Sequence, residues 1–217
     1  GLFKDDSTNT PQEQVGRVGI TKLETTPDQG QMSLTTDGVG LVLDIRTEDG
    51  VIAVGTRVVI TSYDPARRAF VVEAEVPLLV DADGLNHLSG QDLAERSGPT
   101  VLTPHPKELS RLCGQSVAEI QTSRIATARH WAQEWEVVLV LKGSRTVVAA
   151  PDGAVFLNPT GNAGLATAGS GDVLSGMIGG FLAQGCSPLA AALVGVYLHG
   201  LAADTLVQAG LPPSALI

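Results

Sequence analysis

Up to about residue 75 the apolar positions come in short runs, Val15–Leu23, Val39–Ile45, Val51–Val54 and Arg57–Ile60, set between polar and glycine-containing stretches. The runs predict short strands, with Asp49-Gly50 as a hairpin turn. Asp64–Glu75 puts Ala66, Ala69, Phe70 and Ala74 on one side of a helix and predicts a short helical segment. Residues 1–35 are mostly polar, and the first ten are expected to be mobile. After Pro77 the rhythm changes. Leu78-Leu79-Val80, Val101-Leu102 and Val137–Leu141 are unbroken apolar runs, which predict strands covered on both faces. Helical spacing follows over Lys107–Leu112 and over Ser116–Glu134, the latter turning Val117, Ile120, Ile125, Ala128 and Trp131 toward a core. Thr146–Ala150 and Ala154–Leu157, joined by Pro151-Asp152-Gly153, predict a hairpin. A helix with Val173, Leu174, Met177, Ile178, Phe181 and Leu182 inward follows, then another from Pro188 to about Ala209. Strands alternating with helices predict an α/β protein with a mostly parallel sheet and helices on both faces.

Composition agrees with this layering. The 217 residues are 43% hydrophobic but only 4% aromatic, so the core must be built from Ala, Val, Leu and Ile. With 14 basic against 23 acidic residues the net charge is -9, and no basic cluster could neutralise a run of phosphates. A nucleic-acid partner is therefore not expected. A small anion remains compatible, because backbone N–H groups and a few local cations can hold it. Cys113 and Cys186 lie far apart, outside any metal-ligand spacing, and read as buried free thiols in a reducing cytoplasm. No apolar run is read as membrane-spanning, and Gly1–Thr10 lacks the layout of a signal peptide, so a soluble cytoplasmic protein without a membrane partner is expected.

In parallel sheets, ligands gather at the C-terminal ends of the strands, and three predicted strands end in polar clusters. The first is Asp81 and Asp83, which could serve a divalent cation or a phosphate-bound metal, or simply form a strand-end turn. His105 stands between Pro104 and Pro106, where it either contacts a ligand from a rigid turn or is structural. Lys142-Gly143-Ser144-Arg145-Thr146 could hold a nucleotide phosphate or ribose, or be an ordinary exposed turn. The segment Asn158–Gly180 then runs from a loop of Gly, Ala, Asn, Thr and Ser into a helix, with Gly169-Ser170-Gly171-Asp172 at the hinge. Unpaired N–H groups at such a helix start favour an anion. Asp172 there could take a proton from a substrate hydroxyl while the N–H groups stabilise a transferring phosphoryl group, or it could only cap the helix. His199 and Asp204, on the last helix, read as structural.

No G-x-x-x-x-G-K-[ST], strand-linked G-x-G-x-x-G or G-x-S-x-G is present. Four segments instead resemble the ADP-dependent NAD(P)H-hydrate dehydratases in order and spacing. They are Val80-Asp-Ala-Asp-Gly-Leu-Asn86, Leu102-Thr-Pro-His-Pro-Lys-Glu108, Val140-Leu-Lys-Gly-Ser-Arg-Thr146 and Gly161–Gly176. The resemblance implies a ribokinase-like three-layer sandwich. It also implies a lyase that repairs hydrated NADH and NADPH, using ADP (or ATP) with Mg2+, and a homo-oligomer. On this carry-over Asp172 is the base, His105 and Asp172 contact the hydrated nicotinamide nucleotide, and Lys142, Gly143, Ser144, Arg145, Thr146 and Gly171 hold the adenine nucleotide. Asp83, Asn162 and Gly169 are further candidates. The likeness covers about residues 76–210. Residues 1–75 show neither of the family's two glycine-rich turns, since Val58-Val59-Ile60 leads into Thr61-Ser62-Tyr63-Asp64. They are read as a divergent part of the same domain. A ribokinase-like kinase of a small alcohol and a non-catalytic nucleotide-binding module are the competing readings.

Overall fold

The computed structural model of the chain describes residues 10–36, 39–48, 50–88, 93 and 98–215. These divide into two compact units, Gly1–Val76 and Pro77–Ile217. The mobility expected of the first residues, and Asp49 of the expected hairpin, lie outside the described residues apart from Thr10.

The first unit is a closed five-stranded barrel in the order β1-β2-β3-β5-β4, formed by β1 (Val18–Thr21), β2 (Gln31–Thr36), β3 (Val39–Arg46), β4 (Arg57–Asp64) and β5 (Ala69–Ala74). Alternate residues fill it: Met32 and Leu34, Leu43 and Ile45, Val58 and Ile60, Phe70 and Val72. This period of two is what lets each strand give one face to the interior. Two expectations are corrected here. The segment Asp64–Glu75 is a turn and a strand, not a helix. Asp64 Oδ1 accepts from the N–H groups of Ala66 (2.9 Å) and Arg67 (3.2 Å), Arg68 has φ 53°, and β5 then pairs with both β4 and β3. Nor do the runs on either side of Gly50 form a hairpin: β3 pairs with β2 and β5, β4 with β1 and β5, and Ile52 makes only an isolated bridge to Thr25. Closing the barrel outweighs the local turn signal.

The second unit carries its own five-stranded sheet in the order β10-β9-β8-β7-β6. Its strands are β6 (Leu78–Val80), β7 (Thr100–Leu102), β8 (Val138–Leu141), β9 (Val147–Ala149) and β10 (Val155–Leu157). Only β6, β7 and β8 run parallel, because the turn at Pro151–Gly153 sends β10 back along β9, and β9 is itself antiparallel to β8. The sheet is therefore mixed, where a mostly parallel one is expected from the sequence. Consecutive residues face opposite layers. Leu102, Leu139, Leu141, Val147 and Ala149 pack with Leu109, Ile120, Ala128, Ala132 and Trp135. Val101, Val138, Val140 and Val148 pack with Leu174, Ile178, Leu182, Ala191, Ala192 and Val196.

The helices of the first layer are α2 (Pro106–Cys113), α3 (Val117–Thr122) and α4 (Arg124–Glu134), after a four-residue α1 (Asp83–Asn86). The single helix expected over Ser116–Glu134 breaks at Ser123, whose φ is -131°, after Thr122 turns its hydroxyl back onto the Ala118 carbonyl. The second layer holds α5 (Ser170–Ala183) and α6 (Pro188–Gln208). At 21 residues α6 is long and apolar enough to cross a membrane, contrary to the reading of the sequence. One side of it, Ala191, Ala192, Gly195, Val196, Gly200 and Ala203, is buried in the protein. Cys113 is half-buried and Cys186 exposed, so the expectation of two buried thiols does not hold.

Candidate active site

The site starts from the strand ends. Asp81 directly follows β6 and Lys142 directly follows β8, and their side chains meet across β7 with Lys142 Nζ 2.6 Å from Asp81 Oδ1. Ser175, one turn into α5, donates to Asp81 Oδ2 at 2.5 Å and lies 3.4 Å from the Thr103 hydroxyl. Burial acts to raise the Asp81 pKa. The hydrogen bonds from Lys142 and Ser175, the Lys142 charge and the Ala82 N–H outweigh it, and the net shift is downward. Asp81 is thus a fixed anion. It does not pair with Asp83, which is exposed in α1 and accepts from Asn86 Nδ2 at 3.2 Å.

His105 is the N-cap of α2. Its Nδ1 accepts from the Glu108 N–H at 3.0 Å, and Glu108 Oε2 accepts from the His105 N–H at 2.7 Å, a reciprocal capping box with imidazole in the place of a hydroxyl. With Nδ1 accepting, the neutral ring carries its proton on Nε2, which lies 3.3 Å from Glu108 Oε1. Glu108 Oε2 is also 3.8 Å from Lys142 Nζ. One polar chain therefore runs from His105 through Glu108, Lys142 and Asp81 to Ser175.

The Gly-rich loop is fastened to α6. Asp204 accepts from the Gly161 N–H (2.8 Å) and from Asn162 Nδ2 (3.0 Å), and Thr160 donates to the Tyr197 carbonyl at 2.9 Å. Burial pushes the His199 pKa down against a partly opposing hydrogen bond to the Ser170 backbone. These bonds engage Asp204 and the Asn162 side chain within the protein. The loop ends at Gly169 (φ 88°), the N-cap of α5. At Gly171 a Cβ would lie 3.4 Å from Lys142 Nζ and 3.8 Å from Asp81 Oδ2, so the first turn of α5 comes close against the ion pair. Asp172, next in the chain, is exposed and makes no hydrogen bond or ion pair to the described residues.

After Lys142 the backbone turns sharply, with φ 145° at Gly143 and 53° at Arg145. Thr146 Oγ1 donates to the Gly143 carbonyl at 3.2 Å, while Ser144 and Arg145 are exposed. Arg124, the first residue of α4, donates to the carbonyls of Leu141 (3.0 Å) and Lys142 (3.3 Å). The structure thus brings together Lys142, Asp81, His105 and Gly171. It leaves Asp83 and the Asn162 side chain engaged elsewhere. Sequence reasoning missed Glu108, Ser175 and Arg124. The first could be found as the residue three past His105 in a capping box, and the second as lying on the same helical side as Asp172. No local pattern marks Arg124.

Residues 57–215 match the sequence profile described as NAD(P)H-hydrate dehydratase. The chain belongs to the NAD(P)H-hydrate dehydratase family. The match to that family begins at Arg57, the first residue of β4, further back than the four motifs reach. The chain is 46% identical over 202 residues to the bifunctional NAD(P)H-hydrate repair enzyme Nnr of Moorella thermoacetica, covering 87% of this chain and 38% of that protein. The crystal structure of ADP/ATP-dependent NAD(P)H-hydrate dehydratase from Bacillus subtilis, co-crystallized with ATP/Mg2+, is similar with a TM-score of 0.61 and 43% identity over 66% of this chain and 50% of that one. A ribokinase-like superfamily protein from Enterococcus faecalis is similar with a TM-score of 0.52 at 25% identity, covering 78% of this chain and 58% of that one. The α/β ribokinase-like fold follows from these neighbours. This member of the family spans about two-fifths to half the length of the first two of these relatives.

Proposed function

We propose that the chain dehydrates hydrated NADH and NADPH in an ADP-dependent reaction. The observation that carries this reading is the convergence of Lys142, Asp81 and the first turn of α5 at Gly171, with the adjacent Asp172 carboxylate unengaged. Asp172 accepts the proton of the ring hydroxyl as its oxygen attacks the terminal phosphorus of ADP, and AMP leaves. The N–H groups of α5 and the Lys142 ammonium stabilise the charge that builds on the transferring phosphoryl group. The ring-nitrogen lone pair then expels phosphate, and loss of the neighbouring carbon's proton restores the double bond. Lys142, Gly143, Ser144, Arg145 and Thr146 hold the adenine nucleotide, and His105 presents its Nε2–H to the substrate. A cytoplasmic location belongs to the same proposal.

Among the described residues no group of three or more His, Cys, Asp or Glu gathers in a way that could hold a metal, and the Asp81 oxygens are already engaged by Lys142 and Ser175. The residues do not make a resident magnesium site. The ion fits only as a companion of the nucleotide, with phosphate and water as most of its ligands.

The test is incubation with ADP, magnesium and hydrated NADH, following recovery of the NADH absorbance. Recovery that depends on ADP supports the reading. ADP binding without recovery, or consumption of ATP on a small alcohol, overturns it.

A further inference from the structure

Arg124 sits where a cation is disfavoured on two counts. It opens α4, at the positive end of the helix dipole. It is also half-buried, and burial pushes the pKa of its guanidinium down. Among the described residues no carboxylate lies within ion-pair distance of it. Its partners are the Leu141 and Lys142 carbonyls and Gln121 Oε1, the last at 3.1 Å. Two of these three bonds secure the backbone at the end of β8, where the chain leaves the sheet for the loop that carries Lys142.

The loop is shaped to accept that cation. A Cβ at Gly143 would lie 2.9 Å from Arg124 Nη1, 3.0 Å from Nη2 and 3.2 Å from Cζ, so the glycine backbone packs directly against the guanidinium. Gly143 also takes φ 145°, a conformation that strains residues with a Cβ. Two independent features, the missing side chain and the backbone angle, therefore fit Gly143 to Arg124. With the Lys142 carbonyl held on one side, its side chain reaches Asp81 and the ammonium stands beside Gly171.

We propose that Arg124 is the positioning residue of the nucleotide loop, setting ADP affinity by fixing the turn at Gly143 that presents Ser144, Arg145 and Thr146, while the Lys142 ammonium keeps its own anchor on Asp81 and Arg124 takes no part in proton or phosphoryl transfer. This rests on the dehydratase reading for the identity of the ligand. An arginine that merely staples α4 to the sheet would affect stability and all kinetic constants together. A positioning residue separates them.

The test measures ADP binding by calorimetry, and KM for ADP and kcat by NADH recovery, in wild type, Arg124→Met and Arg124→Lys. Methionine keeps most of the stem and removes the donors, while lysine can still reach one carbonyl. Arg124→Met is expected to raise both the Kd and the KM for ADP about tenfold, the size of one lost charge-assisted hydrogen bond, with kcat falling by no more than about twofold. Arg124→Lys is expected to fall between. If the methionine variant does not fold, the lysine variant decides, with an expected rise of about threefold in ADP Kd. ADP affinity equal to wild type in a folded variant overturns the proposal, as does a loss of kcat with KM unchanged. Wild type that binds ADP but does not restore NADH overturns the dehydratase reading alone. Wild type that binds no ADP overturns both.

Discussion

Between Asn158 and Gly169 the chain is fastened largely by side chains, whereas between Lys142 and Thr146 it is fastened mainly through its backbone. In the first stretch Asn158, Thr160 and Asn162 turn their polar groups onto the loop itself and onto α6, and Asp204 closes the arrangement from the helix. In the second, Arg124 holds two carbonyls, Gly143 bends, and Ser144 and Arg145 remain exposed. A loop whose polar side chains are engaged in its own structure acts as a support. A loop whose backbone is held while Ser144 and Arg145 stay open fits the receptor part proposed for it. Asp172 lies just beyond the support, at the head of α5, and is itself unengaged. The contrast divides the residues into those that should lose function with little stability and those that should lose stability first.

The largest effect is expected at Asp172. Asp172→Asn should lower turnover about 10³-fold, the scale of a removed general base, and leave the melting temperature near that of wild type, because no protein bond is lost. A comparable activity loss accompanied by unfolding would break the division. Asp204→Ala is expected to cost about 2 kcal/mol in denaturant titration, since the Gly161 N–H and Asn162 Nδ2 both lose their acceptor. Gly143→Ala should cost about 1–2 kcal/mol through its backbone angle alone, and should weaken ADP binding as well because the new Cβ meets Arg124. Unaltered ADP binding in a folded Gly143→Ala protein would show that the loop is not the receptor.

The smallest effect is in pH dependence. His199 has a folded pKa below its ordinary 6.5, so the unfolded chain takes up the proton first. Its contribution is complete above pH 6.5 and declines as pH falls from there through the folded value. Asp81 behaves likewise lower down, complete above its ordinary 3.8 and lost as pH falls through its depressed folded value. Thermal melts of wild type and His199→Gln between pH 5 and pH 8, a window set by the ordinary histidine range, should converge toward the acid end. Parallel curves would remove His199 from the account.

Legibility in the sequence followed the range of the forces involved. β8 and its neighbours were readable because a strand covered on both faces needs an unbroken apolar run, and Val138–Leu141 supplies one. The hairpin of β9 and β10 was readable because Pro151-Asp152-Gly153 is a local signal. β5 was not, because Ala66, Ala69, Phe70 and Ala74 imitate helical spacing and only pairing with β3 and β4 makes the segment a strand. At the site, His105, Lys142 and Gly171 were marked by local motifs. Asp81 was expected beside Asp83, yet its partners, Lys142 and Ser175, lie 61 and 94 residues away in the chain, and nothing local announces them. Arg124 was hidden for a related reason. Only the break at Ser123 moves it from the flank of one long helix to the start of another, facing the end of β8.

The reaction proposed for this site has a stoichiometry that no binding module and no alcohol kinase shares. Quantifying AMP, inorganic phosphate and NADH in one reaction started from ADP and hydrated NADH tests it most directly. AMP, phosphate and NADH are expected in equal amounts, all three lost together in Asp172→Asn. NADH restored without AMP, or AMP formed without NADH, would contradict it.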